Sequence, residues 1–358
     1  MGAIASGFYH SFILKKDGSL WTAGLLDGRG PNLLNEIDPD VWDLLSCWNI
    51  FKMSISGGVK AMDAGGDHNI VLKQDGTVYV RGGNYWGQLG DGGKFFRRNY
   101  LEVLSGGVRA VSAGGAHSVI LKEDDSVWAA GRITYFGVLN HRRGFVQVVP
   151  NGVKAVSAGG YCTLILKQDN SVWATGSNLY GQLGDGSTKS RTNFVQVVFG
   201  HAMDVVAGWF HSLVLKQDGS LWTTGNNTYG QLGDGSNTNR LSFVRVVSSG
   251  ARTAAAGYGH TMVVLKQVGS VWVTGWNRYG QLGDGSYIDQ RSFVQVVFSG
   301  AIAVAAGFAH SMVLMQDGSV LTTGRNNLGQ LGDDSKADRS RFIIVASTID
   351  GAQCPSYT

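Results

Sequence analysis

Six histidines recur along the chain in one local setting, each beside a polar residue that is usually Ser or Thr. That pairing is where nucleophilic or metal chemistry would first be sought. They are His10, His68, His117, His211, His260 and His310, with Cys162 in the same register. Each follows a small residue, a glycine and two variable residues: SGFYHS (6–11), AGGDHN (64–69), AGGAHS (113–118), AGGYCT (158–163), AGWFHS (207–212), AGYGHT (256–261) and AGFAHS (306–311). Metal ligands must converge to about 2 Å from one ion, whereas one histidine per repeated unit holds the six apart. Sequence neighbours on a strand point to opposite faces, so the His-Ser pairs assemble no Ser-His-Asp triad. A structural role is expected, with each His bridging the tight turn after Ala-Gly to neighbouring backbone. The replacement by Cys162 fits that role.

A second phrase resembles a phosphate-cradling loop: NYWGQLGDG (84–92), NLYGQLGDG (178–186), NTYGQLGDG (227–235), NRYGQLGDG (277–285) and NNLGQLGDD (326–334). A phosphate loop needs a strand before it and a helix after it. Here the phrase leads to another strand each time, so its glycines are read as sites of positive φ and its Asp as a cap for loop amides. An arginine recurs before the aromatic of the following strand, at Arg97, Arg142, Arg191, Arg240 and Arg339, with Arg291 one place displaced. Because Arg and Asp recur together, local pairing with Asp91, Asp185, Asp234, Asp284 and Asp333 is expected; a basic ring for acidic partners is the other reading.

The elements that position these residues follow from the repeat. Successive register positions lie 45–58 residues apart, and seven copies fill the chain. Each unit holds four strand-like pieces, in the fifth Asp204–Ala207, Ser212–Lys216, Ser220–Thr224 and Phe243–Val247. Asp17-Gly18, Asp75-Gly76, Asp218-Gly219 and Asp317-Gly318 predict hairpins with type I′ turns, which need positive φ at both central residues. Asp169-Asn170 tolerates that geometry, and Asp124-Asp125 and Val268-Gly269 are weaker signals. Trp21, Trp128, Trp173, Trp222 and Trp272 share one position in the third piece, with Tyr79 and Leu321 in the other units, which predicts packing between neighbouring sheets. A four-stranded unit cannot bury both faces alone, and radial packing of such sheets covers them. The prediction is an all-β, seven-bladed β-propeller of four-stranded antiparallel blades. The ends, Ile4 in a first strand and Phe342–Ala346 in a last one, are expected to meet and close the ring side by side. The repeats run about 1–56, 57–106, 107–151, 152–200, 201–249, 250–299 and 300–347 within a single domain, 1–358, with a tail at 348–358.

Composition agrees. Glycine supplies 53 of 358 residues, roughly twice the usual share of about 7%, without the every-third-residue period of collagen. Apolar residues make up 43%, enough for a core and too many for a disordered chain. A net charge of +4 is too mild to imply nucleic acid. Cys47, Cys162 and Cys354 give neither a disulfide framework nor zinc spacing, and no apolar run reaches the roughly 20 residues of a membrane helix. The amino-terminal residues lack a signal-peptide pattern, and an intracellular protein of cytoplasm or nucleus is expected.

The AGxxHS, DGS-W and NxYGQLGDG phrases resemble the repeats of the regulator of chromosome condensation family, over essentially all of residues 1–347. The resemblance implies the same seven-bladed propeller and a role in binding other macromolecules. It also implies, as one alternative, guanine-nucleotide exchange on a Ran-like small GTPase, the founding activity of the family. That activity implies a β-wedge insertion with acidic residues, whereas the first-unit insertion, about 25–50, is acidic but reads as a short helix. Asp38 would be its N-cap and Pro39 its first residue, with Val41, Trp42, Leu44, Leu45 and Trp48 at helical spacing. A substrate-recognition module of a larger protein such as a ubiquitin ligase is a further alternative. A photoreceptor of the family uses a Gly-Trp-Arg-His phrase. Only Trp209 occupies that Trp position here, and Phe210 stands where the Arg would be.

The residues free to choose a ligand are those that do not repeat. The variable positions hold Phe8 and Tyr9, Tyr161, Trp209 and Phe210, Tyr258, and Phe308, with Gly66-Asp67 and Gly115-Ala116 in units two and three. Trp276, Arg325 and Arg132 vary just before the Asn position. Units five, six, seven and one adjoin on a ring, so their aromatics are expected as an arc on one face; the other reading is a plug in the mouth of the central channel. Exposed aromatic clusters mark interaction sites. The expectation is a non-catalytic, monomeric protein-binding scaffold with no cofactor and no metal, whose partner is another protein, a small GTPase being the alternative, with neither nucleic acid nor membrane expected as a partner.

Overall fold

The computed structural model describes residues 2–25, 47–132 and 142–346. They form 28 strands in seven separate four-stranded antiparallel sheets, each in sequence order, with no helix among the described residues. The blades span 3–55, 59–104, 108–149, 153–198, 202–247, 251–297 and 301–346. Blade 1 is β1 Ala3–Ser6, β2 His10–Leu14, β3 Leu20–Leu25 and β4 Cys47–Ile55. Blade 5, typical of the rest, is β17 Ala202–Ala207, β18 His211–Lys216, β19 Leu221–Gly225 and β20 Arg240–Val247. Its outer strand begins three residues earlier than the sequence predicts, at the arginine that pairs with the loop aspartate.

The expected helix lies mostly in residues 26–46, outside the described residues, as do the tail and residues 133–141. Its last member, Trp48, is a correction: it sits in β4 opposite Gly24 and packs into the core between blades 1 and 2. Pairing with β3 outweighs the helical spacing because it satisfies the backbone while burying the indole.

Alternation explains the core. The second and third strands are almost wholly buried, while the outer strand alternates half-buried and exposed. Apolar clusters form between blades rather than within them. Leu164 and Leu166 of blade 4, for instance, pack with Val205 and Val214 of blade 5. The third-strand tryptophans fill these interfaces as predicted, Trp173 and Trp222 each on a cluster shared by two blades. Their indole N–H groups donate to a turn serine, such as Trp222 to Ser220 at 2.9 Å, and a lysine lies over the ring, such as Lys216 at 4.1 Å.

The hairpin turns differ from the prediction. Gly18 N–H donates to the Lys15 carbonyl and Lys15 N–H to that of Ser19. Only the last turn residue has positive φ: Gly18 at 78°, Asp125 at 62° and Asn170 at 62°. This is a type I turn closed by one left-handed residue. The turn aspartate is therefore not in the left-handed region; Asp17 Oδ1 instead accepts the Ser19 N–H and hydroxyl, at 2.8 and 2.6 Å. Blade 6 carries one extra residue, so Gly269 N–H reaches back to Leu265.

Ring closure is direct. The first strands surround the axis, with blade 7 against blade 1 as every other pair. Just above them runs a closed circuit of backbone hydrogen bonds. The N–H of Phe8, Gly66, Gly115, Gly160, Trp209, Tyr258 and Phe308 each donates to a glycine carbonyl of the next blade, at 3.0–3.3 Å. The AGxxH glycine permits this approach: a Cβ on Gly65 would lie 2.3 Å from the Gly114 oxygen and 2.7 Å from the His68 ring.

Candidate functional site: an aromatic face over the central channel

Two kinds of loop meet on one face of the ring, the AGxxH turn and the NxYGQLGDG loop. The second is built from its own side chains. Asn227 Oδ1 accepts the Leu232 N–H at 3.0 Å, its Nδ2 donates to Asp234 at 3.0 Å, and Asp234 accepts Arg240 Nε at 2.6 Å. Arg97–Asp91, Arg191–Asp185 and Arg339–Asp333 repeat the pairing at 2.5–2.7 Å. In blade 6, Gln290 takes the arginine's place on Asp284 at 3.0 Å. The pairing reading therefore holds for the four described Arg–Asp pairs. Mixed effects act on these aspartates: burial opposes ionisation, while the serine, Arg and Asn donors outweigh it and leave Asp185 and Asp234 below the usual carboxylate range. The loop glycine has its own cause. A Cβ on Gly233 would lie 2.4 Å from the Phe293 ring of the next blade. Loop amides are thus already donated to Asn, Gln and Asp oxygens, leaving no phosphate cradle.

The histidines reach side chains of the next blade, not the backbone expected from sequence. Nε2 of His68, His211, His260 and His310 lies 2.8–2.9 Å from the hydroxyl of Ser118, Thr261, Ser311 and Ser11. These hydroxyls donate in turn to the backbone carbonyl of a glutamine in the histidine's own blade, such as Ser11 to Gln330 at 2.7 Å. A hydroxyl that donates there accepts from the imidazole, which assigns the proton to Nε2. Burial lowers the histidine pKa to about 4 at His10 and about 3 at His117, His211, His260 and His310. In blade 4 Cys162 lies beside Ser212, and burial pushes its thiol up to about 12. Among the described residues no three His, Cys, Asp or Glu side chains cluster as metal ligands, and no helix is long and apolar enough to cross a membrane.

The sequence-predicted aromatics converge. Phe8 stacks on Trp209 with centroids 3.9 Å apart, although they come from blades 1 and 5. Phe308 meets Phe8 at 4.8 Å and Tyr258 at 4.5 Å. Phe210 meets Tyr258 at 5.3 Å, Tyr161 meets Trp209 at 5.8 Å, Trp276 meets Phe308 at 5.7 Å, and Tyr9 meets Phe8 at 5.5 Å. All are half-buried. An arc at the rim would not bring Phe8 to Trp209. A Cβ on Gly160 would lie 2.7 Å from the Trp209 ring, and one on Gly115 2.9 Å from it, so the indole lies across blades 3 and 4. The rings plug the channel mouth. Burial raises the pKa of Tyr9, against the pull of Arg325, and also that of Tyr258.

Arg325 stands over Tyr279 at 4.9 Å, and Arg132 over Trp86 at 4.9 Å and Tyr161 at 5.7 Å. Sequence reasoning missed the outer ring: Tyr180 beside Phe210 at 5.4 Å, and Tyr229 and Tyr279 beside Trp276 at 5.8 and 5.4 Å. These tyrosines belong to the repeating NxYG phrase and so read as scaffold. Their signal was that the non-repeating rings had to rest on something of their own kind. Tyr85 and Leu179, 75% and 70% exposed, continue the apolar surface outward.

Comparison with known proteins agrees with this architecture. No curated protein matches the chain. Human WBSCR16 is similar in structure, with a TM-score of 0.74 at 20% identity, covering 88% of this chain and 87% of that one. Yeast RCC1 (Prp20), solved bound to Kap60, gives a TM-score of 0.75 at 18% identity over 85% and 79%. A second structure, Prp20p from Saccharomyces cerevisiae, is described with its binding properties to Gsp1p and histones; it gives 0.71 at 18% over 86% and 80%. At such identity these structures share the fold. Models of the regulator of chromosome condensation (RCC1) repeat match residues 59–88 and, overlapping one another, 153–330. The chain belongs to the regulator of chromosome condensation (RCC1) repeat family.

Proposed function

We propose that the chain is a non-catalytic protein-binding module that docks its partner on the aromatic face. One observation supports the reading: the residues departing from the repeat gather into a single apolar surface carrying two stacked guanidinium groups, on a scaffold whose loop aspartates are paired with its arginines. Aromatic and arginine side chains dominate binding energy at protein interfaces, and loops on a rigid frame are where recognition residues collect.

Photo-crosslinking tests it. A crosslinking residue replaces Tyr85 or Leu179 on the aromatic face, or Phe199, 86% exposed in the blade 4–5 connection on the opposite face. The expected result is one protein captured from the aromatic face and lost in a Trp209→Ala/Phe308→Ala chain that keeps its fold. Capture only through Phe199, or capture indifferent to the double substitution, overturns it. Guanine-nucleotide exchange is the second reading, supported by the fold shared with yeast Prp20 and that protein's described binding to Gsp1p. Accelerated nucleotide release from a Ran-like GTPase would establish it, and an unchanged rate would remove it.

A further inference from the structure

Arg132 and Arg325 stand at the two ends of one run of touching rings. The Arg132 guanidinium lies 5.7 Å from the centre of Tyr161, Tyr161 meets Trp209 at 5.8 Å, Trp209 stacks on Phe8 at 3.9 Å, and Phe8 meets Tyr9 at 5.5 Å. Arg325 ends the run. Burial raises the Tyr9 pKa, and the nearby Arg325 charge opposes it. The two arginines follow the third strands of blades 3 and 7, so the run crosses the channel mouth between them. Every side chain in it is half-buried, with part of its surface open to solvent.

Stacking occupies the flat face of a guanidinium and leaves the N–H donors at its edge for another group. Neither arginine forms an ion pair among the described residues. Acids of the same loops are engaged elsewhere. The loop aspartates are held by their own arginines, or by Gln290 in blade 6, and Asp67 Oδ1 accepts Gln88 Nε2 at 3.0 Å. The face therefore keeps two cationic forks with an apolar span between them. Such a fork matches a carboxylate through two parallel hydrogen bonds, and the span suits apolar side chains.

We propose that the occupant of this face is a peptide segment of another protein with two acidic residues separated by an apolar stretch. Its carboxylates meet Arg132 and Arg325, and its apolar side chains lie on the rings between. The inference rests on the docking reading above and adds the chemistry of the partner. Single-stranded nucleic acid also uses stacking and cations, but along a positively charged groove that tracks its backbone. Two separated guanidinium groups on a chain of net charge +4 do not make one.

Random dodecapeptides displayed on phage and selected against the full chain are the probe. Selected peptides are expected to carry two Asp or Glu residues flanking an apolar stretch. Arg132→Gln/Arg325→Gln should weaken them about tenfold or more, and either single substitution less. The same peptides with amides in place of their carboxylates should lose as much on the unaltered chain, a comparison that needs no variant to fold. Peptides without paired acids that are still lost in the Trp209→Ala/Phe308→Ala chain overturn this inference and leave the docking reading standing. Peptides indifferent to both double substitutions, or no enrichment at all, overturn both. Acidic peptides that bind a folded Arg132→Gln/Arg325→Gln chain at full affinity overturn the inference, as does tighter binding of a single-stranded oligothymidylate.

Discussion

The two halves of the channel mouth use the same loop position in opposite ways. Blades 5, 6, 7 and 1 place Trp209, Tyr258, Phe308 and Phe8 after the AGxxH glycine, whereas blades 2, 3 and 4 place Gly66, Gly115 and Gly160. Seven large side chains would not fit around one axis, and seven small ones would leave it open. Trp209 leans across onto the bare backbone of blades 3 and 4, and Phe8, Tyr258 and Phe308 pack on it and on one another. Beneath both halves the belt of histidines and hydroxyls is nearly uniform. Variation at the mouth is thus tolerated because the ring is held elsewhere, by groups that repeat.

Acid should break both halves together, the largest effect expected. Buried histidines with pKa values of about 3 to 4 stay neutral in the fold but titrate near 6.5 when unfolded. Above 6.5 neither state takes up the proton and nothing is lost. As pH falls below 6.5 the unfolded chain alone is protonated, costing about 1.4 kcal/mol per pH unit for each histidine. Five together approach about 7 kcal/mol per unit, comparable with the roughly 5–15 kcal/mol of a whole domain. Thermal melts at pH 7.5 and pH 5.5 should differ steeply; equal melting temperatures would show that the belt does not hold the ring.

Gly160→Val separates the halves. Its Cβ would meet the Trp209 ring and, at 2.8 Å, the Trp209 carbonyl. Overpacking of this kind costs about 1–3 kcal/mol and should expel the indole, visible as a red-shifted tryptophan emission. An unshifted spectrum with native stability would mean that the indole does not rest there. The smallest effect concerns the belt's one irregularity. Cys162→His restores a donor opposite Ser212 and should add about 0.5–1.5 kcal/mol, the net value of one hydrogen bond. A lower denaturation midpoint would show that blade 4 has no room for the ring.

Much of this architecture was legible because its causes are local or recur. Strand alternation, the Trp position and the Arg–Asp pairing all announce themselves by repetition. The histidine partner was half legible: a Ser or Thr in the position after the register residue accepts from the preceding blade's histidine in five junctions, but four of those bonds join residues about one repeat apart and the fifth closes the ring from blade 7 to blade 1, and adjacency in sequence hid that. The turn type was misread because Asp-Gly serves two turns, distinguished only by how many residues close the hairpin. Trp48 was misread because its apolar spacing suited a helix, while the competing partner, Gly24, lies on another strand. The stacking of Phe8 on Trp209 was least legible, since it crosses the axis between blades that are not neighbours.

Each blade is woven from one unbroken stretch of chain, and no sheet borrows a strand from the far end. The seam between blades 7 and 1 therefore uses the same noncovalent contacts as the other six junctions, and nothing physical distinguishes it as a beginning. Joining the present ends and opening the polypeptide in any other connection between blades would leave every sheet whole. The order of the blades is cyclic, and the ring itself does not require that it open between blades 7 and 1.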